Sequence, residues 1–406
     1  MNTSQKVKQE QFYLASVDIL QGISVLYFII WHTMLWWDHY IDSKWPNVLL
    51  TTNIFMTTAM VIPPLFFFLY GFNVVNSLLQ RTTESDRNNS RTRLIKRTLI
   101  FFIIAEFAEG ATALVTNPKY LINYLLTWEL FHLFSLTTIF LLLIFELAWK
   151  LEYKKAYDYR KVSSGVLIFF LGSILAIFLL IHDYSSGLAI EKLYVDLTLD
   201  SILKRAMFEY GQNPVIPWLS FPIIGGITAN FLDLPHEQKK AVGKKLRLAL
   251  LSGVVSLVIG TLYLGFERYI STAVYYPASS SFVFISIGTI ILSTTILILF
   301  IDLNSSSSHQ TVLKIFSPLI LISKISLTVF IIHNVVYIIP PQTPLLQVLI
   351  FSETAAMTTG FIYSIFFIVI AFFWQKRSFK FSLEWTISKL QKAQWRWWIN
   401  NQREFK

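Results

Sequence analysis

Apolar residues in this chain gather into runs long enough to cross a bilayer, separated by short polar stretches. The runs fall at about 12 to 37, 52 to 79, 97 to 115, 121 to 149, 163 to 182, 214 to 232, 247 to 266, 281 to 301, 316 to 339 and 348 to 374. A helix crosses the hydrocarbon core with about 20 apolar residues, so each run predicts a transmembrane helix. The expected fold is all-α, a polytopic membrane protein of about ten transmembrane helices in one bundle over residues 1–376. Residues 377–406 read as a basic amphipathic cytosolic tail. There Leu383, Ile387, Leu390 and Trp397 recur at helical spacing among lysines and an arginine, which predicts an interfacial helix on the inner leaflet.

Composition agrees with the pattern. Of 406 residues, 54% are hydrophobic and only 14% charged, which is too apolar for a soluble enzyme. The absence of cysteine excludes disulfides, thiolate metal ligands and a cysteine nucleophile. A net charge of +10 would suggest nucleic acid in a soluble domain, but membrane topology explains it here and no nucleic-acid partner is expected. An even number of spans puts both termini on one side. With both in the cytosol, 27 of the 34 Lys and Arg fall inside, in Lys6 and Lys8, the loops Arg81 to Arg97, Lys150 to Lys161 and Lys239 to Arg247, Lys314 and the tail. Six fall outside, and Lys324 lies within the ninth run. This positive-inside bias predicts a multi-pass protein of the cell membrane with cytosolic termini.

Polar residues inside the runs carry the candidate chemistry. In the first, SVDILQGISVLYFIIWHTMLWWDHYID, positions 18, 21, 22, 25, 32 and 39 fall within roughly 100° of one another on a helix. Asp18, Gln21, Gly22, His32 and His39 therefore form one seam, and ionisable groups within a span mark a functional site by default. Asp18 lies about 21 Å from His32 along the axis, at 1.5 Å per residue, so the partner of His32 must come from another helix. Glu129, His132 and His333 are the first candidates.

After the second run, Arg81, Arg87, Arg91, Arg93, Lys96 and Arg97 crowd one polar stretch that could hold phosphates or anionic lipid. Glu106 and Glu109 share a face in the third run, and Glu129 and His132 form an E-x-x-H pair in the fourth. A di-iron bundle needs two such pairs with further carboxylates, so no metal is expected. A carboxylate orienting a histidine, or a buried polar contact that fixes helix packing, are the simpler readings. The sixth run opens NPVIPWLSFPIIGG, whose Pro214, Pro217 and Pro222 release backbone carbonyls that a cavity or protein must satisfy. The ninth, SKISLTVFIIHNVVYIIPP, places His333 toward the end that the topology puts outside. Histidines outside and arginines inside suggest a site reached from both faces.

These segments together resemble the transmembrane acyltransferase superfamily, especially its heparan-alpha-glucosaminide N-acetyltransferase-like branch. The resemblance rests on SVDILQG with a following histidine, PPLFFFLYGF before the basic stretch, WELFHLFSLTTIF, NPVIPWLSFPIIGG and ISLTVFIIH, in this order over most of the chain. It implies an enzyme that moves an acyl group, usually acetyl from acetyl-CoA, onto an amine or hydroxyl of a glycan or lipid-linked acceptor. It further implies a catalytic histidine in or just after the first span, which is His32 within the span or His39 in the following loop. His32 is the preferred match. Arg91, Arg93, Lys96 and Arg97 become candidate contacts for the CoA phosphates. The family pattern usually has arginine where this chain has Gln21, so either another cation serves Asp18 or the chain has left the family's activity. A neutral histidine, with an ordinary pKa of about 6.5, could act as general base toward the acceptor.

Two other readings use the same residues. A transporter or flippase for a polar lipid or glycan would use the buried Glu and His as proton sites, although no internal repeat is evident. A non-catalytic membrane partner subunit would need none of the seam residues.

Overall fold

The computed structural model describes residues 14–38, 50–79, 84–116, 130–152, 168–169, 171–175, 215–232, 239–266, 280–303, 308–333 and 353–390. No strand occurs among them. Six described helices are long and apolar enough to cross a membrane, within Ala15–Thr33, Ile62–Leu79, Val215–Leu232, Val242–Tyr263, Ser280–Asp302 and Met357–Gln375. A shorter apolar helix covers Phe131–Leu147. The described residues are all-α, and the protein is of the multi-pass membrane type.

In chain order the helices are α1 (Ala15–Asp38), α2 (Leu50–Leu79), α3 (Glu84–Thr116) and α4 (Leu130–Glu152). A helical turn, Val215–Trp218, leads into α5 (Ser220–Leu232), followed by α6 (Lys239–Phe266) and α7 (Ser280–Leu297), which continues as a π-helical turn, Ile298–Asp302. Then come α8 (Ser308–Ile315), α9 (Ser317–Ser323), α10 (residues 326–333), α11 (Glu353–Gln375) and α12 (residues 383–390).

The centre of the bundle is the contact between α2 and α5, and glycine makes it close. A Cβ on Gly71 would sit 1.9 Å from the Pro222 carbonyl oxygen, and one on Gly225 would sit 2.0 Å from that of Phe68. Small residues let helix backbones touch where lipid supplies no hydrophobic drive for association. Beside this seam lies the fully buried Trp218, edge-on to Phe67 and Phe221 and near Phe282. Around it, α6 pairs with α7, α3 with α4, and α1 with α9 and α11. Large apolar side chains remain exposed on α3 (Leu99, Ile103, Phe107), α6 (Leu251, Val258, Leu262) and α11 (Ile365, Phe373). Such rows suit hydrocarbon rather than water.

Three sequence expectations change. The basic stretch Arg81 to Arg97 is mostly not a loop, because α3 already begins at Glu84; likewise α6 begins at Lys239. Hydropathy marks where a helix enters lipid, not where it starts. Among the described residues the ninth run is not one continuous helix. Pro318 stands in the first turn of α9, and a turn at Lys324 and Ile325 separates α9 from α10. The predicted interfacial tail helix is present in part as α12, but it docks on protein: Ile387 is buried and Leu383 half-buried, while Leu390 is exposed. Trp397 lies outside the described residues.

The π-helical turn has a visible use. It presents Asp302 to the start of α1, where Oδ1 accepts from the Ala15 backbone N–H at 2.8 Å and Oδ2 accepts from the Ser16 hydroxyl. A carboxylate there satisfies an orphan N–H and complements the positive end of the helix.

Candidate active site

The polar seam expected on α1 is the face that meets α9 and α10. Asp18 forms an ion pair with Lys324, and Gln21 Nε2 donates to Ser326 Oγ at 2.7 Å. Gly22 lies against the backbone of Leu319. Further along, the Phe28 ring meets Phe330 at 5.6 Å, and His32 meets His333. The contacts of α10 advance in the same direction as the positions on α1, from Gln21–Ser326 through Phe28–Phe330 to His32–His333, so α1 and α10 run parallel. Lys324 is thus the cation that serves Asp18 in a chain with glutamine at position 21.

The two histidines form the centre of this face. His32 Nδ1 and His333 Nε2 are 2.7 Å apart, and the rings meet edge to edge and nearly coplanar, with centroids 5.0 Å apart and planes 13° from parallel. His333 is fully buried, and His32 is partly accessible. The second ring nitrogen of His333, Nδ1, lies 3.1 Å from the Val329 carbonyl oxygen. A carbonyl only accepts, so His333 Nδ1 carries the proton and, in the neutral ring, Nε2 carries the lone pair. His32 Nδ1–H is then the donor between the rings. It follows that neutral His32 holds its in-plane lone pair on Nε2, the nitrogen turned away from His333. A buried acceptor that fixes the tautomer and stabilises the cation formed on protonation is the arrangement a general base needs.

Aromatic rings enclose the pair. Phe28 lies 5.6 Å from His32, Phe330 lies 5.1 Å from His333, and Phe66 and Phe131 pack behind them. This shell limits water and strengthens the electrostatic coupling between the two rings.

The remaining candidates stand elsewhere. His132 is buried in α4, and its Nε2 lies 3.0 Å from Glu106 Oε1 of α3. A carboxylate from the facing helix therefore also serves this histidine, which the i, i+3 spacing alone did not indicate. Glu129 and His39 lie outside the described residues. The basic cluster is divided by its helix. Arg91 pairs with Glu146 of α4 at 3.3 Å. Arg97 lies over the rings of Tyr70 and Phe101, 5.4 and 4.9 Å from their centroids. At 100° per residue, Arg93, Lys96 and Arg97 share about 100° of the α3 surface, with Arg91 well away from them. Sequence reasoning missed Ser326, Asp302 and Glu146, and treated Lys324 only as a charge within a span. A lysine in the middle of an apolar run was the available signal.

Fold and site define a multi-pass helical membrane protein with an oriented histidine pair suited to moving a proton. The sequence profile of the acyltransferase domain matches residues 14–389, so the chain belongs to that family and is a membrane acyltransferase. No curated protein matches the chain significantly.

Proposed function

We propose that this acyltransferase moves an acetyl or other short acyl group from acyl-CoA to an amine or hydroxyl of a glycan or lipid-linked acceptor, with His32 as general base. The observation that carries the reading is the directed chain Val329 carbonyl, His333, His32, which sets the lone pair of neutral His32 on Nε2. In the reaction the acceptor O–H or N–H attacks the thioester carbonyl carbon, the C–S bond breaks, and His32 Nε2 takes the acceptor proton. The same proton returns to the departing sulfur, so CoA leaves as the thiol and His32 ends neutral. His333 holds the ring and stabilises its charged form through Nε2. General-base assistance of this kind is typically worth about 10² to 10⁴ in rate.

Arg93, Lys96 and Arg97 share a face of α3 and are the side chains we assign to the donor's phosphates. Arg91 is set apart from that role by its pairing with Glu146. The likeness to the heparan-alpha-glucosaminide N-acetyltransferase-like branch rests on the five segments quoted above, and with it a bundle of about ten spans. The basic stretches belong in the cytosol, with both termini, in the cell membrane.

The test uses purified protein with acetyl-CoA and an acceptor extract. CoA release that requires the acceptor and is lost in His32→Ala is the expected result. Movement of a polar lipid or glycan across liposomes without CoA release would replace this reading with a transporter.

A further inference from the structure

The helix that carries His333 begins inside the bundle, and its first turn needs partners from elsewhere. In α10 the leading N–H groups have no acceptor within the helix. Glu384, from the segment beyond α11, supplies one. Its Oε1 accepts from the Leu327 N–H at 2.7 Å and the Thr328 N–H at 3.2 Å, and its Oε2 accepts from the Thr328 hydroxyl at 2.5 Å. The Leu383 N–H in turn donates to Thr328 Oγ1 at 2.7 Å. The two chain segments therefore cap each other's helices reciprocally, the logic of a capping box built between distant residues.

The turn that delivers Glu384 is itself strained. Ser378, Phe379 and Phe381 adopt φ of 51°, 52° and 69°, although none is glycine. Trp374 Nε1–H donates to the Lys380 carbonyl at 2.6 Å and pins the turn. Strain of this kind persists where the surroundings over-determine the conformation. Here they fix where the carboxylate arrives.

We infer that Glu384 is a positioning residue: by capping α10 it sets the height and rotation of His333 against His32, so the chain beyond the last span is part of the catalytic scaffold. His333 follows Thr328 by five residues on the same helix, and the 2.7 Å bond to His32 tolerates little sliding or rotation of α10. This inference rests on the acyl-transfer reading of the histidine pair.

The test measures CoA release and amide hydrogen exchange on the full chain in detergent or liposomes. Glu384→Ala is expected to raise exchange in residues 326–333 and to lower kcat by about tenfold or more, with the donor KM within about twofold of wild type. In a His333→Ala background the same substitution is expected to cost little further, because it acts through His333. Glu384→Gln and Thr328→Val keep the shape of the contact and supply milder versions of the same effect should the alanine variant fold poorly. Unchanged exchange, a kcat within twofold of wild type, or a full additional loss in the His333→Ala background each overturns the positioning role. A wild-type protein that releases no CoA overturns instead the reading on which the role rests.

Discussion

Gly22 offers a sharp test of how the site is held, because the contact it permits is backbone against backbone. A Cβ at this position would lie 2.3 Å from the Leu319 carbonyl oxygen, 2.8 Å from its carbonyl carbon and 2.9 Å from its Cα. Ordinary contact begins at 3.4 Å, and no rotamer of α9 can relieve the clash. In Gly22→Ala, α1 and α9 must therefore part by about 1 Å in an interior that is close-packed. Alanine gains about 0.8 to 1.0 kcal/mol over glycine in a helix, whereas overpacking costs about 1 to 3 kcal/mol, with a rigid contact at the upper end. The net expectation is a destabilisation of about 1 to 2 kcal/mol, a fall in Tm of roughly 1 to 4 °C. Transmitting half of the displacement would stretch the His32–His333 bond to about 3.2 Å, the edge of the favourable range, so CoA release should fall as well. Thermal unfolding and acceptor-dependent CoA release on one preparation measure both. Gly243→Ala is the control, since no described atom lies within 4 Å of a Cβ there and its Tm should hold or rise. A Gly22→Ala protein with wild-type Tm and full CoA release would refute the reasoning.

Other expectations follow from the same geometry. Lys324→Met removes the cation of Asp18 within the span, so it should lower Tm, and adding Asp18→Asn should restore part of the loss; a double variant no better than the single one speaks against the pair. Glu106→Gln should lower Tm modestly while CoA release stays near wild type; a loss as large as that of His32→Ala would bring the His132 pair into the reaction. Arg93→Ala and Lys96→Ala should raise the donor KM, most at low ionic strength, with kcat preserved; a KM insensitive to both would remove these residues from the donor site.

The sequence already carried the seam on α1, because 3.6-residue periodicity and the cost of ionisable groups in lipid act on the residues in view. The structure adds what the seam faces. His333 was among three candidate partners for His32, and only the register of α10 against α1 singles it out. One error has a plain cause. The basic stretch that opens α3 is polar, and polarity alone does not distinguish a loop from a helix that projects beyond lipid. Glu384 illustrates the limit: nothing near it in the chain marks a cap, because the N–H groups it satisfies are more than fifty residues away. The joint at Lys324 was more legible, since Pro318 and a lysine within one apolar run both signal a break.

The central claim is that His32 takes the acceptor proton while His333 holds it in place. Rates of acceptor-dependent CoA release from His32→Ala, His333→Ala and the double variant test it most directly. The single variants should each lose a large part of the rate, about 10² to 10⁴ for His32→Ala, and the double variant should be no slower than His32→Ala alone. A His32→Ala protein that keeps most of its rate, or losses that multiply in the double variant, would contradict it.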